Sequence, residues 1–158
     1  MQKLLVQACC GPCACDTSMF EGYSTIYFFN GDNMNTRSEY DSRLFALRRV
    51  AQGLIVDMYN GPIEFAVCED CIRYRLRAAA RAAKKHGFDC FTTTLTVSPH
   101  KNTAMVNRIG REVAAEVGMP FLELNLKSND GFARTVKISK ELGLYRQNYC
   151  GCAKSVRQ

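Results

Sequence analysis

No stretch of this 158-residue chain approaches the roughly 18 consecutive apolar residues that a membrane span requires. The first residues also lack the basic region, apolar segment and small-residue cleavage site of a secretory signal. Internal repeats, low-complexity tracts and dividing linkers are missing too, so a single domain over 1–158 is expected. At this length a proper core is affordable and two domains are not. These absences point to a cytoplasmic protein with no membrane partner.

One residue type is in excess. Nine cysteines stand in the chain, an odd number that argues against complete pairing. In a reducing compartment a disulfide framework is not expected, and clustered cysteines more often mean metal or redox chemistry. Lys and Arg outnumber Asp and Glu by 21 to 15, for a net charge of +6. That excess suits a polyanion such as RNA and equally suits a plainly basic surface.

Four of the thiols fall in Cys9-Cys10-Gly11-Pro12-Cys13-Ala14-Cys15, directly after the apolar run Lys3 to Ala8. A strand that ends in a Gly-Pro turn and enters a helix is where α/β proteins place phosphate-holding amides. Thiols in that place should ionise more easily, because the helix N-terminus is positive.

Further along, Asp16 to Phe20 read as a short helix and Tyr23 to Phe29 as a second strand. A helix starting near Ser38 carries Tyr40, Leu44, Leu47 and Val50 at helical spacing and stops near Gly53. Leu54 to Tyr59 read as a third strand. From Cys68, the stripe Ile72, Leu76, Ala79, Ala80 and Ala83 predicts a strong helix ending at Lys84-Lys85-His86-Gly87. Asp89 to Val97 form a fourth strand in this reading, followed by a helix burying Val106, Ile109, Val113 and Val117 up to Gly118. Phe121 to Leu126 are a fifth strand and Ala133 to Leu142 a last helix. The alternation predicts an α/β, Rossmann-like, three-layer fold with a mostly parallel sheet, its site beyond the C-terminal strand ends.

A Cys68-x-x-Cys71 pair at a helix start directs both sulfurs to one side, and together with the first turn it can surround one metal or cluster. Structural zinc is one reading, but its ligand pairs usually stand about 12–20 residues apart. An iron–sulfur site fits better, since the first turn with Cys68 and Cys71 offers five thiolates. Cys15 and Cys90 read as small buried hydrophobes. Cys150-x-Cys152 in the tail leaves three roles open: further ligands, a redox dithiol or free thiols.

Four stretches resemble the QueH-type epoxyqueuosine reductases: Leu4 to Cys13, Cys68 to Leu76, Gly87 to Asn102, and Gly143 to Cys152. They fall in the family's order and span nearly the whole chain. The resemblance implies an oxidoreductase with a HUP-like Rossmann fold, completing queuosine synthesis by reducing the epoxide of epoxyqueuosine at the tRNA wobble position. It implies a [4Fe-4S] cluster with an additional iron ion, at Cys9, Cys10, Cys13, Cys68 and Cys71 by position, and an external electron donor. Tyr145, Tyr149 and His100 are candidate proton donors. Arg73, Arg77, Lys101 and Arg146 are candidate tRNA contacts, and Arg75 is expected beside them on the polar part of the third helix. A zinc-stabilised RNA-binding domain without catalysis and a metal-free thiol–disulfide oxidoreductase are the competing functions. The chain departs from the family's usual pattern at Gln7, where His is common, at Gly31-Asp32-Asn33, and in a shortened segment between Tyr59 and Cys68.

Overall fold

Apolar runs separated by amphipathic stripes fold, in this computed structural model, into four strands and five helices. Residues 1–147 and 149–155 are described; Asn148 of the tail motif and positions 156–158 lie outside the described residues. The strands are β1 (Gln2–Ala8), β2 (Tyr23–Phe29), β3 (Leu54–Val56) and β4 (Cys90–Thr93). The helices are α1 (Gly11–Ala14), α2 (Arg37–Val50), α3 (Cys68–Lys85), α4 (Thr103–Val117) and α5 (Gly131–Glu141).

All strand pairs are parallel, in the order β3-β2-β1-β4. The chain steps outward from β1 through β2 to β3, then returns through α3 to the other side of β1. Right-handed crossovers therefore put α1 and α2 on one face and α3 on the opposite one. α3 packs on β1, β4 and α4, while α1 packs against α2 and α5. Between β1 and β4 the order reverses, and there a parallel sheet opens a crevice at its C-terminal edge.

The α3 stripe is as expected, with Ile72, Leu76, Ala79, Ala80 and Ala83 all fully buried. The start of α2 lies at Thr36 rather than Ser38, because the Thr36 side chain accepts from the Glu39 amide 3.1 Å away. Asp16 to Phe20 form a 3-10 turn over Thr17–Phe20, capped by Asp16. β3 and β4 are shorter than expected. β4 stops at Thr93, and Leu95–Val97 form another 3-10 turn.

The fifth strand over Phe121 to Leu126 is a correction: among the described residues, only a single bridge between Phe121 and Phe91 forms there. Side chains take the carbonyls a ladder would use, Thr92 bonding Leu122 O at 2.8 Å and Asn107 bonding Leu124 O at 3.1 Å. Phe121 instead packs on α4, so close that a Cβ on Gly110 would lie 2.3 Å from its ring.

Core burial implies that Leu76→Ala should cost about 2–5 kcal/mol. Urea unfolding should show a lower midpoint at unchanged slope, whereas Met58→Ala, at a site 77% exposed, should leave the midpoint unmoved.

Candidate metal and substrate site

Three chain segments bring their thiols to the crevice between β1 and β4. Cys9, Cys13, Cys68, Cys71, Cys150 and Cys152 all line one cavity of about 570 Å³. Cys10 sits fully buried behind it, and all nine cysteines are free. α3 begins at Cys68, so its first turn presents Cys68 and Cys71 together. Thr94, which follows β4, lines the same cavity.

Beneath the thiols, a polar chain ties the strand ends together. Buried Gln7 donates to Asn30 Oδ1 at 3.0 Å and accepts from Thr93 Oγ1 at 2.6 Å. Asn30 passes the chain on to the Arg75 carbonyl at 3.2 Å, linking β1, β2, β4 and α3. Gln7 is therefore a structural brace, and an amide suits it because both its ends are used.

The tail reaches the site through Arg43, which sequence reasoning did not single out. Its guanidinium is 1% exposed and donates to Glu39 Oε1 at 2.7 Å, and to the Cys150 and Tyr149 carbonyls at 2.8 Å each. It also lies over the Tyr149 ring, 5.4 Å from the centroid. The signal was available, since Arg43 falls three residues after Tyr40 and four before Leu47, on the buried stripe of α2. At Gly151, with φ +117°, the backbone takes a turn open chiefly to glycine.

Of the candidate proton donors, Tyr149 and His100 line the cavity. Tyr149 donates to Asn35 Oδ1 at 2.8 Å. Tyr145 is 41% exposed, is not among the lining residues, and donates to Glu39 Oε2 at 2.7 Å. Burial and the bond to Glu39 push its phenol up to about 12.

Of the candidate tRNA contacts, Lys101 and Arg146 line the cavity. Arg73 and Arg77 instead pair across to α4, with Glu112 at 2.6 Å and Glu116 at 3.0 Å. Arg75 departs from its expected place on the polar side. It is 1% exposed and lines the cavity, because it lies one residue from Leu76 and three from Ile72. Five cations, Arg43, Arg75, Lys101, Arg146 and Lys154, line the cavity, and no carboxylate does among the described residues.

The thiols do not ionise as the helix-dipole argument expected. Cys9 is raised, first by its hydrogen bond with Cys10 and then by burial, and Cys10 is pushed up to about 12, chiefly by its bond with Cys13. α1 is a helix of only four residues, too short for its dipole to offset that burial. Burial also raises Cys71. Cys150 goes the other way: burial alone would raise it, but Arg75 and Lys101 outweigh that, with Lys101 Nζ 3.2 Å from its sulfur. Cys15 donates to the Pro12 and Thr135 carbonyls and packs with Ala46 and Leu144, in keeping with a small hydrophobe.

These donors fit a soft-metal, sulfur-rich group. Among the described residues, no three Cys, His, Asp or Glu side chains are arranged to hold a single ion. Six thiols from three segments line one cavity, a donor set suited to soft metals. The buried Arg75 guanidinium has no hydrogen-bond partner of ordinary geometry among the described residues, and its neighbours are the thiols of Cys71, Cys9 and Cys150. A negatively charged occupant would compensate it.

Arg43→Ala should leave Glu39 buried without its partner and release the tail, a loss of about 3–5 kcal/mol. Unfolding midpoints and limited proteolysis beyond Leu144 measure this. Arg43→Lys should recover only part, since one ammonium cannot serve Glu39 and two carbonyls in a planar fork.

A family model described as "Epoxyqueuosine reductase QueH" matches residues 4–67 and 62–158. An epoxyqueuosine reductase QueH of Thermotoga maritima is 32% identical over 99% of this chain and 91% of its own length. Its counterpart in Streptococcus pyogenes is 30% identical over 98% of this chain and 71% of its own, and that of Dehalococcoides mccartyi is 27% identical over 97% and 92%. Together with the thiol-lined crevice at the sheet's switch point, these matches place the chain in the QueH family of epoxyqueuosine reductases.

Proposed function

We propose that this oxidoreductase reduces epoxyqueuosine to queuosine at the wobble position of tRNA, using a [4Fe-4S] cluster and an additional iron ion held by Cys9, Cys10, Cys13, Cys68 and Cys71. The observation that carries the reading is the cavity itself, where six thiols and five cations meet without a carboxylate among the described residues. Sulfur donors there suit a cluster, and the cations suit a polyanionic substrate. Cys150 and Cys152 are further ligands or a redox pair. Nine free thiols, with no described helix long and apolar enough to cross a membrane, are compatible with a cytoplasmic site of action.

Removing the epoxide oxygen breaks two C–O bonds, forms a C=C bond and consumes two electrons and two protons, with water leaving. The only two-electron couple among protein side chains here is a cysteine dithiol, which must itself be re-reduced after each turnover, so the electrons originate in an external donor. Held by these cysteines, an iron–sulfur group would supply single-electron transfer and an additional iron would supply Lewis acidity at the epoxide. The chain's own residues position and protonate. Tyr149 and His100, at the cavity, are the candidate proton donors nearest the substrate, while Tyr145, bonded to Glu39, lies outside the cavity lining. Phe65, Val97 and Val136 give the cavity apolar walls that exclude water around the ring. The wobble base comes from a single-stranded loop, so entering the cavity costs less than leaving a duplex. Lys101 and Arg146 at the cavity meet the loop phosphates. Arg73 and Arg77 reach phosphate only by leaving Glu112 and Glu116, and contribute less.

The deciding experiment is anaerobic reconstitution with iron and sulfide, followed by assay on tRNA carrying epoxyqueuosine under strong reductant. Cluster absorbance and conversion to queuosine are expected. One bound zinc without sulfide, or a loaded protein that leaves the epoxide intact, would overturn the reading. Cys71→Ala should lose the cluster absorbance, whereas Cys90→Ala, at a buried strand position, should keep it. In salt titrations of tRNA binding, Lys101→Ala and Arg146→Ala should each flatten the slope by about one unit. Replacing Arg73 and Arg77 should change it by less.

A further inference from the structure

Two arginines are equally buried beside the sulfur site, and they are used in opposite ways. Both side chains are 1% exposed. Arg43 spends its donors on protein: Glu39 and the carbonyls of Tyr149 and Cys150. Arg75 spends none. Nε, Nη1 and Nη2 are all buried without a hydrogen-bond partner of ordinary geometry among the described residues. The ionisable groups that act on it are the thiols of Cys71, Cys9 and Cys150, from three separate segments of the chain, and all three line the same cavity.

A guanidinium cannot shed its charge to escape burial, so an uncompensated one is a standing cost to the fold. Replacing buried charges by apolar groups of similar size is often neutral or stabilising. Retention of such a cation needs a state in which it is compensated. The thiols around it are neutral when protonated and negative when they ligate a metal, so compensation arrives with the loaded site. The α3 geometry enforces the proximity, since Arg75 follows Cys71 by four residues and so lies one turn along the same face.

We infer that Arg75 is the internal counter-cation of the sulfur site: it destabilises the empty protein, favours the anionic loaded state, and makes that state easier to reduce by one electron. This rests on the thiol cavity holding the iron–sulfur group proposed above. The redox consequence follows from Coulomb's law in a poorly polarisable surrounding. A fixed positive charge near a group that gains an electron stabilises the reduced form more than the oxidised form. Arg75 is thus a positioning and tuning residue that need not touch the substrate.

The test compares the full-length wild type with Arg75→Met, Arg75→Lys and Arg43→Met. Metal-free protein is unfolded thermally first. Arg75→Met should melt about 2–10 °C higher than wild type, because an uncompensated charge has been removed. Arg43→Met should melt lower, because paired groups have been orphaned. After anaerobic loading, iron and sulfide per chain should fall in Arg75→Met and recover in Arg75→Lys. In a spectroelectrochemical titration the reduced-to-oxidised ratio of residual clusters in Arg75→Met, at the wild-type midpoint, should fall about tenfold, equivalent to about 59 mV for one electron. Arg75→Lys should return it toward wild type. An empty Arg75→Met protein no more stable than wild type overturns the inference, as does a midpoint that coincides with wild type. If wild type takes up no iron and sulfide, the cluster reading fails on its own, and the melting comparison still decides whether Arg75 is an unpaired charge.

Discussion

Positive charge buried beside sulfur is the constraint on which the rest of this structure depends. Arg43 and Arg75 sit on the two helices that flank the sheet from opposite faces, and both lie against the thiol cavity. Burying a guanidinium is costly without partners, and only Arg43 has them here, two of them from far along the chain. Arg43 binds carbonyls more than a hundred residues away, at Tyr149 and Cys150, and so makes the tail part of the site. Bonds from Tyr149 to Asn35, from the Asn35 amide to the Gly151 carbonyl and from Lys154 to the Phe65 and Ala66 carbonyls hold the same tail.

The sheet supplies the frame that makes this possible. In the order β3-β2-β1-β4 the crossover through α3 reverses direction beside β1, so Cys9 and Thr94 emerge next to each other at one edge. The Thr93–Gln7–Asn30–Arg75 chain then fixes the strand ends against α3. The Gln7 and Asn30 amides and the Thr93 hydroxyl all find partners in it, and such a network specifies one arrangement where an apolar contact would accept several. The ion pairs between α3 and α4 have a smaller share, since they are exposed and each is worth at most about 1 kcal/mol.

Much of this was legible in the residues themselves. The α3 stripe from Ile72 to Ala83, the strands β1 and β2, and the placing of Cys9, Cys13, Cys68 and Cys71 at a strand end and a helix start all follow from periodicity and spacing, which are local properties. The Phe121 to Leu126 run misled, because its β-forming residues gave no hint that Thr92 and Asn107 would claim its carbonyls. Arg75 misled in a second way. An arginine near the edge of an amphipathic stripe reads as solvated, and only the packing of α3 onto the sheet turned it inward.

Sequence by itself thus determined the alternation of elements, the parallel α/β class, the supply of thiols and the family, because side-chain period and motif spacing are written along the chain. Tertiary structure alone decided which charges are buried, which thiols share a cavity and how the tail is held. Those outcomes depend on groups distant in the chain: Arg43 with Cys150, Gln7 with Thr93, and Arg75 with three cysteines from three segments. Charge burial is set by the sum of such neighbours, and no local pattern encodes that sum.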